Sequence, residues 1–187
     1  SHGLLILEWF KKKRDMYFSK KNYELVGIEV PIEYELPNNI KFIGYMDVVL
    51  HDTFRDRYKI IDIKTSTMGW NKYQKADKNK TDQLLLYKYF FSKEQEVPID
   101  SVDVEYFIVK RKLYENLDFP QRRVQTFSPA SGKPSINKVV NNLQRFIDES
   151  FEDGKHNLER DYLKLPSKKN CKWCEFNQTE HCDAGVK

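Results

Sequence analysis

Cysteine is nearly missing from this sequence: 187 residues hold three, and none precedes Cys171. A secreted disulfide scaffold needs an even set of cysteines, so that class is excluded. Three clustered thiols point instead to a metal site in a reducing compartment. Long apolar runs are missing too. No stretch approaches the roughly 20 residues that cross a bilayer, and no secretory leader is visible. No membrane association is therefore expected, and the expected location is the cytoplasm, that of a host if the source is viral. Ser1-His2-Gly3 reads as a tag remnant, with the natural start upstream. Internal repeats and low-complexity tracts are absent, which excludes a solenoid. Neither sign of charge dominates: 32 Lys and Arg face 28 Asp and Glu, a net charge of +4. That excess is too small to demand a nucleic-acid partner. It permits one where cations cluster, as in Lys11-Lys12-Lys13-Arg14 and Lys168-Lys169, although a solvated face explains such runs equally well.

Apolar residues make up 40% of the chain and aromatics 14%, enough for a core without covalent staples. Leu4 to Phe18 reads as one helix, with Leu4, Leu7 and Phe10 near a common stripe. From Val26 to Leu36, Ile28, Val30, Ile32 and Tyr34 alternate with Glu29, Glu33 and Glu35, a strand with its glutamates toward water. Pro37-Asn38-Asn39 marks a turn. Ile40 to Leu50 and Tyr58 to Thr65 form the next strands, a hairpin across the polar link 51–57. Residues 69–79 read as a loop, Thr81 to Phe91 as a helix, and Val102 to Val109 as a strand leading into a basic turn at Lys110, Arg111 and Lys112. Val124 to Phe127 reads as a short strand and Ser135 to Phe151 as a helix. This order predicts a mixed α/β (α+β) sheet flanked by helices. The expected division is a domain over 1–166 and a cysteine-containing segment over 167–187, packed on that domain.

Chemistry concentrates in three places. In Ile60-Ile61-Asp62-Ile63-Lys64, strand alternation sends Asp62 and Lys64 to one face and the flanking isoleucines to the other. Upstream, Asp47 interrupts an apolar strand containing Phe42, Ile43, Val48, Val49 and Leu50, where a carboxylate is costly unless paired or metal-bound. A hairpin brings Asp47 toward Asp62. Two converging carboxylates repel, and a hard divalent cation, Mg²⁺ or Mn²⁺, relieves the repulsion. Downstream, Gln83 and Tyr87 share one face of a helix. Each feature alone has an ordinary explanation: a wet strand face for Asp62 and Lys64, a routine amphipathic helix for Gln83 and Tyr87.

Taken in order, Gly44-Tyr-Met-Asp47, Asp62-Ile-Lys64 and Gln83-Leu-Leu-Leu-Tyr87 resemble the PD-(D/E)xK nuclease superfamily. The particular likeness is to its RecB-type branch, which includes CRISPR-associated RecB-like exonucleases and phage nucleases. The resemblance implies a restriction-endonuclease-like core and a Mg²⁺- or Mn²⁺-dependent deoxyribonuclease. An exonuclease on single-stranded DNA is expected, acting in recombination, repair or replication with protein partners. It further implies that Asp47, Asp62 and the backbone carbonyl of Ile63 hold the cation, with His2 as a further ligand from the first helix. Glu29 and Glu33 are candidates for an additional acidic ligand. Lys64 would orient or deprotonate water, and Gln83 and Tyr87 would position the strand. Lys72, Lys75, Lys78 and Lys80, with Trp70 and Tyr73 interleaved, are candidate DNA contacts. The alternative from another class is a non-catalytic nucleic-acid-binding or assembly module on a nuclease scaffold, for example in a CRISPR adaptation complex.

Cys171-Lys-Trp-Cys174 followed by Cys182 resembles the late part of an iron–sulfur staple in some RecB-type nucleases, where an early cysteine completes a [4Fe–4S] cluster. No early cysteine exists here. Four readings stay open: a first cysteine lost with the N-terminus, a Zn²⁺ site completed by His181, a decayed site, or a reduced metal-free cap around Trp173 and Phe176.

Overall fold

The computed structural model describes residues 2–19, 21–114, 118–159 and 164–186. The side chain of His2, expected as a metal ligand, lies outside the described residues. The chain divides into two compact units, residues 1–149 and 150–187.

The first unit is built on a five-stranded sheet in the order β1-β2-β3-β4-β5: Tyr23–Leu36, Ile40–Asp52, Arg57–Ser66, Val102–Lys110 and Val124–Phe127. Strands β1 to β3 form an antiparallel meander, β4 joins β3 in parallel, and β5 returns antiparallel at the edge. The β2–β3 turn is held by Asp52, whose buried carboxylate accepts hydrogen bonds from the amides of Phe54 and Arg55, both at 3.2 Å. The parallel β3–β4 step requires a crossover, supplied by helices α3 (Lys72–Ala76) and α4 (Lys78–Glu94).

Each face of the sheet carries its own core. Beneath α4, Leu84, Phe90 and Phe91 pack with Ile32, Ile60, Val104 and Tyr106. On the opposite face, Val48, Leu50, Ile61 and Phe107 are covered by aromatics of α1 (His2–Lys13) and α2 (Asp15–Phe18). Burying each such side chain stabilises the fold by roughly 1.5–3 kcal/mol. Helix α5 (Lys133–Ser150) adds an outer layer, Ile136 and Val139 meeting Leu85 on the back of α4.

Two expectations change. The helix read as continuous to Phe18 breaks at Arg14, and Leu4 and Leu7 face solvent. Ile6, Trp9 and Phe10 take the buried side, because ring packing on Phe107 removes more apolar area from water than two leucines would. The loop expected over 69–79 contains α3, started by a capping box. The Asn71 side chain accepts from the amides of Tyr73 and Gln74, and the Gln74 side chain accepts from the amide of Asn71. In the second unit, β6 (Phe151–Glu152) and β7 (Lys155–His156) form a minimal hairpin, and α6 (Lys168–Cys171) precedes the remaining cysteines.

Lys88 of α4 is buried, and its ammonium donates to the carbonyl of Ser131 at 3.1 Å. Burial lowers its pKa from the usual 10.5. Between that lowered value and 10.5 the unfolded chain holds a proton that the folded chain has released, so stability rises with pH across this window. Chemical denaturation of wild type and Lys88→Met from pH 7 to 10.5 is expected to show the wild type gaining relative to the variant. A constant difference would contradict the assignment.

Candidate active site

Strand β2 loses its regular alternation at Asp47. Met46 packs beneath α4 and so does Val49, three residues on, while Val48 faces the opposite core. Strict alternation would put Met46 and Val49 on different faces. Asp47 has no partner in either ladder: β1 pairs with β2 at Ile28–Val48 and then Val30–Met46, and the β2–β3 ladder ends at Val48–Ile61. Opposite the gap, Glu29 takes a left-handed backbone at φ 50°, an uncommon conformation for a residue with a side chain. The Asp47 side chain takes over the missing pairing: its Oδ2 accepts from the amide of Ile63 at 2.6 Å. The carboxylate of β2 is thereby fixed to the backbone of β3 between Asp62 and Lys64.

Asp62 points beneath α4 and is only 3% exposed. Its Oδ2 accepts from Lys64 Nζ at 3.1 Å. Its Oδ1 lies 2.8 Å from the same nitrogen but is buried without a well-directed hydrogen bond. Burial raises the Asp62 pKa above the usual carboxylate range; Lys64 opposes the rise and the nearby Asp47 charge adds to it. Lys64 Nζ also donates to Gln83 Oε1 at 3.2 Å, and Gln83 Nε2 donates to the Tyr87 hydroxyl at 3.1 Å. The Tyr87 ring lies against Gly44, where a Cβ would approach it to 2.6 Å. Residues from β2, β3 and α4 thus form one connected set, with glycine required by the close approach of the ring.

Asp47 and Glu29 line a groove of about 810 Å³, with Ile63 on its floor and Phe10 and Phe18 on its wall. Glu29 is exposed, as the alternation predicts, and it lines this open groove as well. Glu33 instead pairs with Lys41 at 2.5 Å. Among the described residues no three His, Cys, Asp or Glu side chains gather about one point. Asp62 is not among the groove's lining residues, so a cation shared by Asp47 and Asp62 would sit at the edge of β3 on these two carboxylates, the Ile63 carbonyl, and water or substrate oxygens. The carboxylate and carbonyl oxygens are the hard donors such an ion takes, with Asp62 reaching it from the side beneath α4, where Lys64 pairs with it at 2.8 Å.

The outlying candidates divide. Tyr73 is 74% exposed. Trp70, expected to stack on unpaired bases, is instead buried against Tyr106, with Gln125 bonded to both its backbone amide and its carbonyl. An indole between apolar rings buries more area than a lysine-rich stretch suggests. Lys72 lies over Tyr73, Lys75 over Phe127 and Lys80 over Trp70, so these cations rest on ring faces. Lys78 opens α4. In the second unit, Cys171, Cys174, Cys182 and His181 line one pocket of about 430 Å³, with Cys171 buried and Cys174 exposed.

No curated protein matches the chain by sequence. Among solved structures, the crystal structure of SSO0001 is similar at a TM-score of 0.47 and 17% identity, over 99% of this chain and 70% of that one. The family comparison spans residues 4–179, from the first helix through the carboxylate-bearing strands and past the first two cysteines, and by it the chain belongs to the PD-(D/E)XK nuclease superfamily.

Proposed function

We propose that this protein is a Mg²⁺- or Mn²⁺-dependent deoxyribonuclease of the RecB-type branch, acting as an exonuclease on single-stranded DNA. The observation that carries the reading is the meeting of Asp47 with the Ile63 amide, which ties Asp47 to β3 between Asp62 and Lys64, whose side chains pair at 2.8 Å. A non-catalytic module would have little reason to keep the Asp62–Lys64 pair with its carboxylate buried and its charge disfavoured.

Asp47, Asp62 and the Ile63 carbonyl would hold the cation. A bound Mg²⁺ or Mn²⁺ supplies charge that polarises the phosphodiester and acidifies a water molecule. Lys64 orients that water or compensates charge building on the phosphate oxygens. Gln83 accepts from the ammonium and so fixes its direction, and Tyr87 fixes Gln83. Tyr73, Lys72, Lys75 and Lys78 are assigned to the DNA strand near the start of α4. The likeness to the RecB-type branch also suggests work within a recombination, repair or replication complex.

The cysteine segment is assigned to a metal as well. A [4Fe–4S] cluster needs a fourth thiolate that this sequence does not contain. Cys171, Cys174, Cys182 and His181 offer the donor chemistry of a Zn²⁺ site, although no three of them gather at one point among the described residues. No step of the cleavage reaction is assigned to this segment. Elemental analysis of anaerobically purified protein distinguishes zinc from iron.

End-labelled single- and double-stranded DNA, incubated with Mg²⁺, Mn²⁺ or chelator, tests the main proposal. Cation-dependent loss of the single strand is expected, and Asp62→Asn or Lys64→Ala should lower its rate at least ~100-fold. Full cleavage by either variant, with its fold verified by circular dichroism, would sink the assignment.

Metal binding is checked without turnover. Mn²⁺ should raise the melting temperature of the wild type by stabilising the folded state, and the rise should vanish in Asp62→Asn. Equal shifts in both proteins place the ion elsewhere.

Gly44→Ala should push the Tyr87 ring away and loosen the link to Lys64, with cleavage falling roughly 10- to 100-fold. The companion Gly44→Ala/Tyr87→Leu variant removes the clash. Its melting temperature should recover while its activity stays low.

A further inference from the structure

Five cations gather at the far end of the sheet, where the sequence shows only a basic turn. Lys110, Arg111 and Lys112 follow β4, and Arg122 and Arg123 precede β5. The parallel pairing of Ser66 with Lys110 carries the chain beyond β4 alongside the chain beyond β3. The amides of Arg111 and Lys112 donate to the carbonyls of Ser66 and Thr67, each at 2.8 Å. The Arg123 guanidinium donates to the carbonyls of Lys110 and Arg111 at 3.0 and 3.2 Å, and Arg111 donates to the Thr67 hydroxyl at 2.9 Å. These acceptors are neutral. They fix the arginines in place and leave their charge uncompensated.

Among the described residues none of the five forms an ion pair. Elsewhere in the same sheet the cations are matched: Arg57 by Asp103, Lys59 by Glu105 and Lys41 by Glu33. Lys110 and Arg122 also line a groove of about 580 Å³ between α2 and β5, together with Met16, Tyr17 and Thr126, and among the described residues no carboxylate lines it. Helix α2 divides this groove from the one holding Asp47, since Asp15 and Phe18 line the second. Strands β3 and β5 are two strand spacings apart, ~10 Å, a distance one nucleic-acid strand covers within a few nucleotides.

We propose that the groove between α2 and β5 binds phosphates of a single nucleic-acid strand outside the scissile position, with Lys110 and Arg122 as its contacts and Arg123 as the residue that positions the turn. This deepens the nuclease reading and rests on it for the strand's direction of travel. The alignment is electrostatic: a fixed cluster of unmatched cations beside carboxylates that a phosphate would otherwise avoid. Met16 and Tyr17 supply an apolar wall against which a sugar or base lies.

The test is binding of a fluorescein-labelled single-stranded 20-mer by anisotropy, in EDTA, over a series of KCl concentrations. Lys110→Gln/Arg122→Gln should weaken binding about 10-fold or more at low salt. It should also flatten the slope of log affinity against log salt by about 1.4, two contacts at ~0.7 each. Arg122→Lys alone should keep most of the affinity, and Lys138→Gln on the exposed side of α5 should behave as wild type. Mn²⁺-dependent hydrolysis of bis(p-nitrophenyl) phosphate, too small to reach the groove, should be unchanged in the double variant. An unchanged affinity and slope in a folded double variant overturns the proposal, as does a loss seen only with anionic phosphatidylserine vesicles. A wild type that binds with the expected slope change but cleaves nothing overturns the nuclease reading alone.

Discussion

One hydrogen bond decides how the site is built: the carboxylate of Asp47 in the place of a strand partner, accepting from the amide of Ile63. A backbone amide that loses its ladder partner is satisfied by another acceptor, a side chain or water. Here the β2–β3 ladder stops at Val48–Ile61, and an acidic side chain continues it. The substitution keeps β3 ordered through Lys64 while releasing β2 from strict alternation. It also brings Asp47 close enough for its charge to contribute to the raised pKa of Asp62.

The rest of the site is tied to the core. Tyr87 belongs to the cluster beneath α4 and also receives the hydrogen bond from Gln83. Through Gln83 it directs the Lys64 ammonium, and through Gly44 it touches β2. The aromatic packing that holds α4 on the sheet therefore also fixes the direction of the lysine. Rigid elements hold the arrangement more accurately than mobile loops would. Its cost is local: a carboxylate buried against a single ammonium and a left-handed backbone at Glu29.

The residues of the centre were legible in the sequence because each violates its surroundings: an acid in an apolar strand, a charged pair between isoleucines, a glycine before an acid. The strands and the mixed character of the sheet followed from periodicity, whereas the parallel step of β4 on β3 came only with the structure. What periodicity could not convey was any departure from it. The break at Asp47 puts Glu29 on an open groove while leaving it exposed, and no alternation pattern encodes that break. Trp70 was misread for a related reason, since its lysine neighbours suggested exposure while the bonds from Gln125 and the rings of Tyr106 and Phe127 form only in three dimensions. Leu4 and Leu7 matched a helical stripe, but the larger rings of Trp9 and Phe10 decided which side of α1 faces the sheet.

A net charge of +4 made the chain look electrostatically bland. The fold separates what the sum conceals. Asp15, Glu29 and Asp47 line one groove together with Arg14 and Lys21, Arg14 lying 3.7 Å from Asp15, whereas Lys110 and Arg122 line the other, with α2 between them. A phosphate approaching the acids is repelled at short range until something neutralises them, whereas at the basic groove it is attracted throughout. A polyanion would therefore be held by the cations first and reach the carboxylates only where a divalent ion has reversed the local sign. On the proposed reading, an ion at Asp47 would govern access to the centre as well as reactivity there, because it would offset the acids that otherwise weigh against an approaching phosphate.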